Sequence, residues 1–249
     1  GEFMNGYGYY MEGQNPLNFT TVGLDEGEYF YNFETGADTS LPQYMAGTLD
    51  AFLSDSNFFI RYTNSRTGVE TDIPFSTTGV RVFPRVHHTN LADGNKTQLM
   101  RGSSVRWTAT FKPQCEPKYQ PVVIDFINKY GSWARIFFQK AKTRNITVKS
   151  DSYKANPSSL PYSPTAEGQV RNINTTGQET IKLNTGFVND GYGEYLQQLL
   201  LSEKINLLDS ETSSQYQPVT VQTKSLKKQT GINDGTINYE LTFDFAFDI

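Results

Sequence analysis

Cysteine, histidine, charge and long apolar runs are what this chain has least of. A single cysteine, Cys115, occurs among 249 residues, so no intrachain disulfide forms and no cysteine cluster holds zinc. It lies in PQCEPKYQP with no acid or base constellation around it and reads as a small packed side chain rather than a nucleophile. The two histidines, His87 and His88, are adjacent, with Asp93 five residues on. A metal site needs three or more convergent ligands, so they read as loop histidines. Charged residues make up 19% of the chain and the formal net charge is −4, which gives no general attraction to nucleic acid or anionic lipid. No apolar run approaches the ~18 residues of a membrane span, and the first thirty residues lack the basic and apolar regions of a signal peptide. With GEF read as a cloning remnant and Met4 as the native start, the expectation is synthesis in the cytoplasm without export. The sequons at Asn18, Asn95, Asn145 and Asn174 then carry no glycosylation inference. Phosphate-loop, nucleophile-elbow, H-E-x-x-H and dinucleotide motifs are all missing. The chain is therefore read as noncatalytic, with no cofactor and no metal.

Aromatic residues take up what the other classes leave. Phe (17) and Tyr (15) make up much of an apolar inventory of 37%, and 20 Gly with 11 Pro supply turns. That mix favours strands. The clearest strand is the last segment, INYELTFDFAFDI. Ile237, Tyr239, Leu241, Phe243, Phe245 and Phe247 fall on one side and Asn238, Glu240, Thr242, Asp244 and Asp248 on the other, the period-two alternation of an amphipathic strand. GEYFYNFE, NFFIRYT, VETDIPF, GVRVFPRV, SVRWTATF, WARIFFQKA, NITVKSDSYKA, KINLLD and PVTVQTKSL also read as strands. NSRTG makes a hairpin of the second and third.

Helical spacing predicts three short helices. One lies in MAGTLDAFLSD with Thr48 as cap. A second lies in QPVVIDFINKYGSW, where Val122, Val123, Phe126, Ile127 and Tyr130 share a face and Gly131 stands at the C-terminal cap position. The third is in FVNDGYGEYLQQLLLSEKINLLD, with Tyr195, Leu196, Leu199 and Leu200 on one face. HHTNLADGNKTQLMRG reads as a polar loop. Residues 156–184, with three prolines and many Ser, Thr and Asn, read as a connector. NITVKSDSYKAN and PVTVQTKSLKKQT, 73 residues apart, share a Val-centred strand that ends in Ser, an apolar residue and Lys. The expected layout is a cloning remnant with start Met (1–4), an N-terminal β-rich region (5–99), a first helix-plus-strands unit (100–155), the connector (156–184) and a second helix-plus-strands unit (185–249). The fold class is mainly β with a few short helices (α+β), built from β-sandwich or split-barrel modules with a degenerate internal repeat.

Three sets of residues are candidates for function. The aromatic side of the last strand, Tyr239, Leu241, Phe243, Phe245 and Phe247, must be covered either by the rest of the chain or by a second copy, and in the second case these residues form an oligomer interface. Tyr9 and Tyr29, among the Asn- and Gly-rich tyrosines of the N-terminal region, read first as packed on a β core or a neighbouring subunit and, as the alternative, as a sugar-stacking platform. The carboxylates Asp25, Glu26 and Glu28, or Asp244 and Asp248, suit a glycosidase pair only if they flank a cleft at a specific separation.

VVIDFINKYGSWARIFFQKAKTRNITVKSDSYKAN and the run from EYLQQLLLSEKINLLD through QPVTVQTKSLKKQTGINDGTINYELTFDFAFDI resemble tail and connector structural proteins of tailed bacteriophages and prophages of Bacteroidetes. The likeness covers roughly residues 100–249, and the terminal block is its most specific part. It implies a virion protein with a tail-tube- or hub-like β architecture. It also implies assembly as a homo-oligomeric ring in tail, baseplate or neck beside other phage structural proteins, with no specific nucleic acid and no membrane. In such a ring the acidic side of the last strand would face solvent or a lumen. The alternative class is a carbohydrate-binding β-sandwich acting as a receptor-binding module.

Overall fold

Side chains that alternate between core and solvent set the architecture. The structure is a computed structural model and describes residues 21–32, 48–53, 57–75, 77–114, 119, 121–156, 168–189, 191–209, 215–225 and 236–248. The first half forms β1 (Thr21–Val22), β2 (Gly27–Asn32), β3 (Thr48–Leu53), β4 (Phe58–Asn64), β5 (Glu70–Pro74), β6 (Gly79–Pro84), β7 (Asn95–Arg101) and β8 (Ser104–Gln114). The second half forms β9 (Val122–Ile127), β10 (Trp133–Phe138), β11 (Thr143–Lys154), β12 (Val170–Asn189), α1 (Tyr192–Leu200), β13 (Ile205–Leu208), β14 (Gln217–Val221) and β15 (Thr236–Asp248). They build a three-stranded sheet, β1-β3-β6, a five-stranded sheet, β2-β8-β7-β4-β5, and a seven-stranded sheet, β10-β9-β13-β14-β15-β12-β11. All pairings are antiparallel except β2 with β8. The fold is mainly β and sandwich-like, with one α-helix among the described residues and no closed barrel.

The two smaller sheets are joined at the end of β6. The buried Tyr62 of β4 donates its hydroxyl to the Pro84 carbonyl at 2.7 Å, and Thr97 of β7 donates to the Arg85 carbonyl at 2.7 Å. Arg85 in turn donates from Nε to the Thr48 carbonyl at 3.0 Å. Helix α1 fills the junction with the seven-stranded sheet. Its Tyr195 packs edge-on against Tyr29 of β2 (centroids 5.1 Å apart) and Phe126 of β9 (5.5 Å), and its hydroxyl donates to the Arg135 carbonyl of β10 at 3.1 Å. Tyr195, Leu196 and Leu199 are buried and Leu200 is half-buried, as the helical spacing predicts. One continuous apolar cluster therefore runs through all three sheets.

Several local expectations are corrected. Residues 122–127 form a strand, not a helix: Val122, Ile124 and Phe126 are buried while Val123, Asp125 and Ile127 are half-buried between β10 and β13. Its half-buried face carries Val123 and Ile127 beside Asp125, so the apolar run is nearly continuous and helical spacing fits it by accident, while its β-branched residues favour the extended form. Gly131, at φ +75, serves the β9–β10 turn rather than a helix end. Thr48–Leu53 is likewise a strand, its Leu49, Ala51 and Leu53 turned into the core. The supposed polar loop contains β7, whose Thr97 and Leu99 are buried. From Val170 on, the expected connector is part of β12. The two expected helix-plus-strands units share one sheet, with β9 of the first bonded to β13 of the second, and no helix is found in the described residues of the first. Cys115 lies outside the described residues.

Candidate assembly surface

The C-terminal strand is interior, not an edge. It pairs with β12 along one side and with β14 along the other. Ile237, Tyr239, Leu241, Phe243 and Phe245 are buried, the last three at 2% exposure or less, and Phe243 meets Phe138 of β10 edge-on at 6.1 Å. The cover comes from the chain itself, so Tyr239, Leu241, Phe243 and Phe245 are not available as a subunit interface. Of the five expected interface residues, only Phe247 stays exposed, at 42%.

Tyr29 does not offer a stacking platform. It is buried against Phe111 and Tyr195, and its hydroxyl donates to the Asp25 carbonyl at 2.9 Å. Burial, then the neighbouring Tyr195 and Asp25, push its ionisation far above the ordinary tyrosine range. Tyr9 lies outside the described residues.

The candidate carboxylates Asp25, Glu26 and Glu28 line one pocket of about 300 Å³ together with Glu194, and each of the three is already bonded within the fold. Asp25 accepts from the Tyr130 hydroxyl at 2.5 Å and Gln198 Nε2 at 2.7 Å, and pairs with Lys129 at 2.8 Å. It thereby ties the β1–β2 loop to the β9–β10 turn and to α1. Glu26 accepts the Thr108 N–H at 2.9 Å, and Glu28 pairs with Lys112 at 2.8 Å. The His87 and His88 rings lie 4.2 Å apart at the start of a 3-10 turn, His88–Asn90, while Asp93 pairs with Arg66. Among the described residues no group of three or more His, Cys, Asp or Glu side chains converges on a metal position.

The surface that sequence reasoning missed is a ribbon. β11 pairs with β12 from Thr143↔Lys182 to Lys154↔Val170, but β15 reaches β12 only as far as Gln178↔Asp248. Among the described residues, 148–154 and 170–177 therefore run on as two strands without a third, for about 23 Å at the usual strand rise. A bulge bends the ribbon where two β12 residues oppose one of β11, with Asn174 in the left-handed region at φ 51, a conformation Asn tolerates better than most residues. The pairings Arg144↔Ile181, Ile146↔Glu179 and Val148↔Gly177 put Ile146 and Val148 on the face that Ile181 buries. Past the end of the core that face is uncovered: Ile146 is 62% and Val148 60% exposed; beyond the bulge Val170 is exposed on the same face, and Ile173 and Tyr153 on the opposite one. β11 is also the edge of the sheet.

The root of this ribbon is held by charge. Asp209, fully buried just after β13, pairs with Lys142 Nζ at 2.7 Å and with Arg144 at 3.0 Å. Arg144 also meets Glu179 at 2.7 Å and lies over the Phe245 ring at 5.2 Å. The alternation in NITVKSDSYK pointed to β11, but the Ser- and Thr-rich composition of its partner concealed β12, and without a partner the projection was not legible.

The fold and this surface define a mainly β, sandwich-like protein with an exposed two-stranded arm whose root is tied by ion pairs. Comparison of the chain with protein-family profiles, with curated proteins and with solved structures finds no match.

Proposed function

We propose that this chain is a noncatalytic structural protein of a tailed bacteriophage particle, built into the tail, baseplate or neck as a homo-oligomeric ring that contacts other phage structural proteins. The single observation that carries the assembly is the β11–β12 ribbon, an edge ribbon with Ile146 and Val148 uncovered on the core-facing side. A long edge strand with exposed aliphatic side chains invites pairing or packing with another chain, and proteins that stay monomeric protect such edges. Repeated head-to-tail, a contact of this kind closes into a ring when its rotation permits. The likeness of residues 100–249 to phage tail and connector proteins supports the setting. Sedimentation velocity over a range of concentrations, with negative-stain imaging, tests the reading: rings or discrete oligomers are expected. A strict monomer at every concentration, alone and with the other structural proteins of the particle, overturns it.

A further inference from the structure

A second feature of β12 lies far from the ribbon. Its register with β15 shifts between Asn184 and Phe187, and Gly186 within the shift has φ +74, where a Cβ would also come within 2.8 Å of the Lys140 Cε. Thr185 repairs the broken ladder. Its Oγ1 accepts the Tyr239 N–H at 3.1 Å and donates to the Gly186 carbonyl at 2.8 Å. The bulge turns Phe187 outward to 74% exposure, the highest of any large hydrophobic side chain among the described residues. Bulges re-aim side chains in this way, often beside functional sites.

Next to Phe187 opens a pocket of about 230 Å³, walled also by Phe30, Gln114, Gln139, Thr185 and Tyr192. Gln139 is 5% exposed, and its carboxamide oxygen is buried without a hydrogen-bond partner. Leaving such a group unpaired costs about 1–3 kcal/mol, so a ligand that brings a donor recovers stabilisation the isolated chain lacks. None of the described lining residues is charged, and a carboxylate or phosphate entering would lose its hydration with no counter-charge in the wall itself, although the Lys140 side chain packs beside Gly186. A purely aliphatic ligand would cover Phe187 and leave the Gln139 oxygen unpaired. The volume is below that of drug-sized sites and suits one ring.

We infer that this pocket binds a neutral pyranose. The apolar face of the sugar stacks on Phe187, and a hydroxyl donates to Gln139 Oε1 once the terminal carboxamide turns about χ3 into the cavity. Gln114 supplies the second carboxamide of the wall. The site is separate from Tyr29 and stands or falls independently of ring assembly.

Saturation-transfer difference NMR on the intact chain tests it, using glucose, galactose, mannose, fucose and N-acetylglucosamine at millimolar concentration with glucuronate as the charged control. At least one neutral sugar is expected to give a signal that glucuronate does not. Phe187→Ala, a surface change that leaves thermal unfolding intact, is expected to weaken that sugar about tenfold, in line with the worth of one aromatic contact. Gln139→Leu, which removes the buried polar group, is expected to weaken it as well. Silence across the neutral panel, equal response to glucuronate, or an unchanged signal in Phe187→Ala overturns the inference.

Discussion

Replacing Ile146 and Val148 together by lysine puts the assembly proposal at risk most directly. Both side chains are about three-fifths exposed. Full burial of an aliphatic side chain of this size is worth roughly 1.5–3 kcal/mol, so each has on the order of 1–2 kcal/mol still to gain at an interface. The pair therefore accounts for about 2–4 kcal/mol per contact, or roughly 30- to 900-fold in its dissociation constant. Two lysines also oppose the approach of a neighbouring ribbon, as charged edge residues do in natural sheets. Inside the monomer the two residues touch solvent more than core, so its own unfolding free energy should change by less than about 0.5 kcal/mol. Sedimentation velocity reads the first effect and urea unfolding of the monomer the second. Unaltered association of the double variant refutes the role given to this face.

Three further outcomes test the framework. Phe243→Ala, at a fully buried position packed on Phe138, should cost about 3–5 kcal/mol in urea unfolding; a loss under 1 kcal/mol would mean that β15 is not the core strand described. Asp209→Ala strips the buried partner from Lys142 and Arg144 and should cost about 3 kcal/mol, near the low end for a broken buried pair because both cations keep some solvent. Faster amide exchange across β11 should accompany it, and unchanged exchange would show that the clamp does not hold the ribbon. Burial, then the adjacent His88, lower the His87 pKa below its ordinary value of 6.5. The unfolded chain thus takes up this proton first, so stability is full above about pH 6.5 and declines as pH falls through the folded-state value. The urea midpoint should be lower at pH 5.5 than at pH 7.5 by an amount that shrinks in His87→Gln, and an identical difference in that variant would contradict the assignment.

Strands with one wet face were legible because their burial follows a single variable, the side of the pleat. β4 shows a strict buried and half-buried alternation, and β15 keeps its aromatic side inward as far as Phe245. Helix α1 was legible for the matching reason, one apolar stripe against one contact surface. β9 alternates in burial as β4 does, but Val123 and Ile127 make its half-buried face largely apolar too, so its sequence leaves little contrast to read. β12 was concealed differently: much of it is polar because it faces water, and its extended form is imposed by the long ladders to β11 and β15 rather than by its own side chains. Neither Gln139 nor Phe187 carries a sequence signal, because the pocket joins parts of β2, β8, β12 and α1 that lie far apart along the chain.

By itself the sequence determined the mainly β class, the position of the helix at Tyr192–Leu200 and the inward side of the last strand, all consequences of local periodicity. Tertiary structure decided what covers that side: β12 and β14 flank the strand, and Phe138 of β10 meets Phe243 across the core. It also decided that the uncovered apolar surface lies on the β11–β12 ribbon instead. Periodicity says which side chains must leave water, whereas only the pairing of distant strands says where the supply of cover ends.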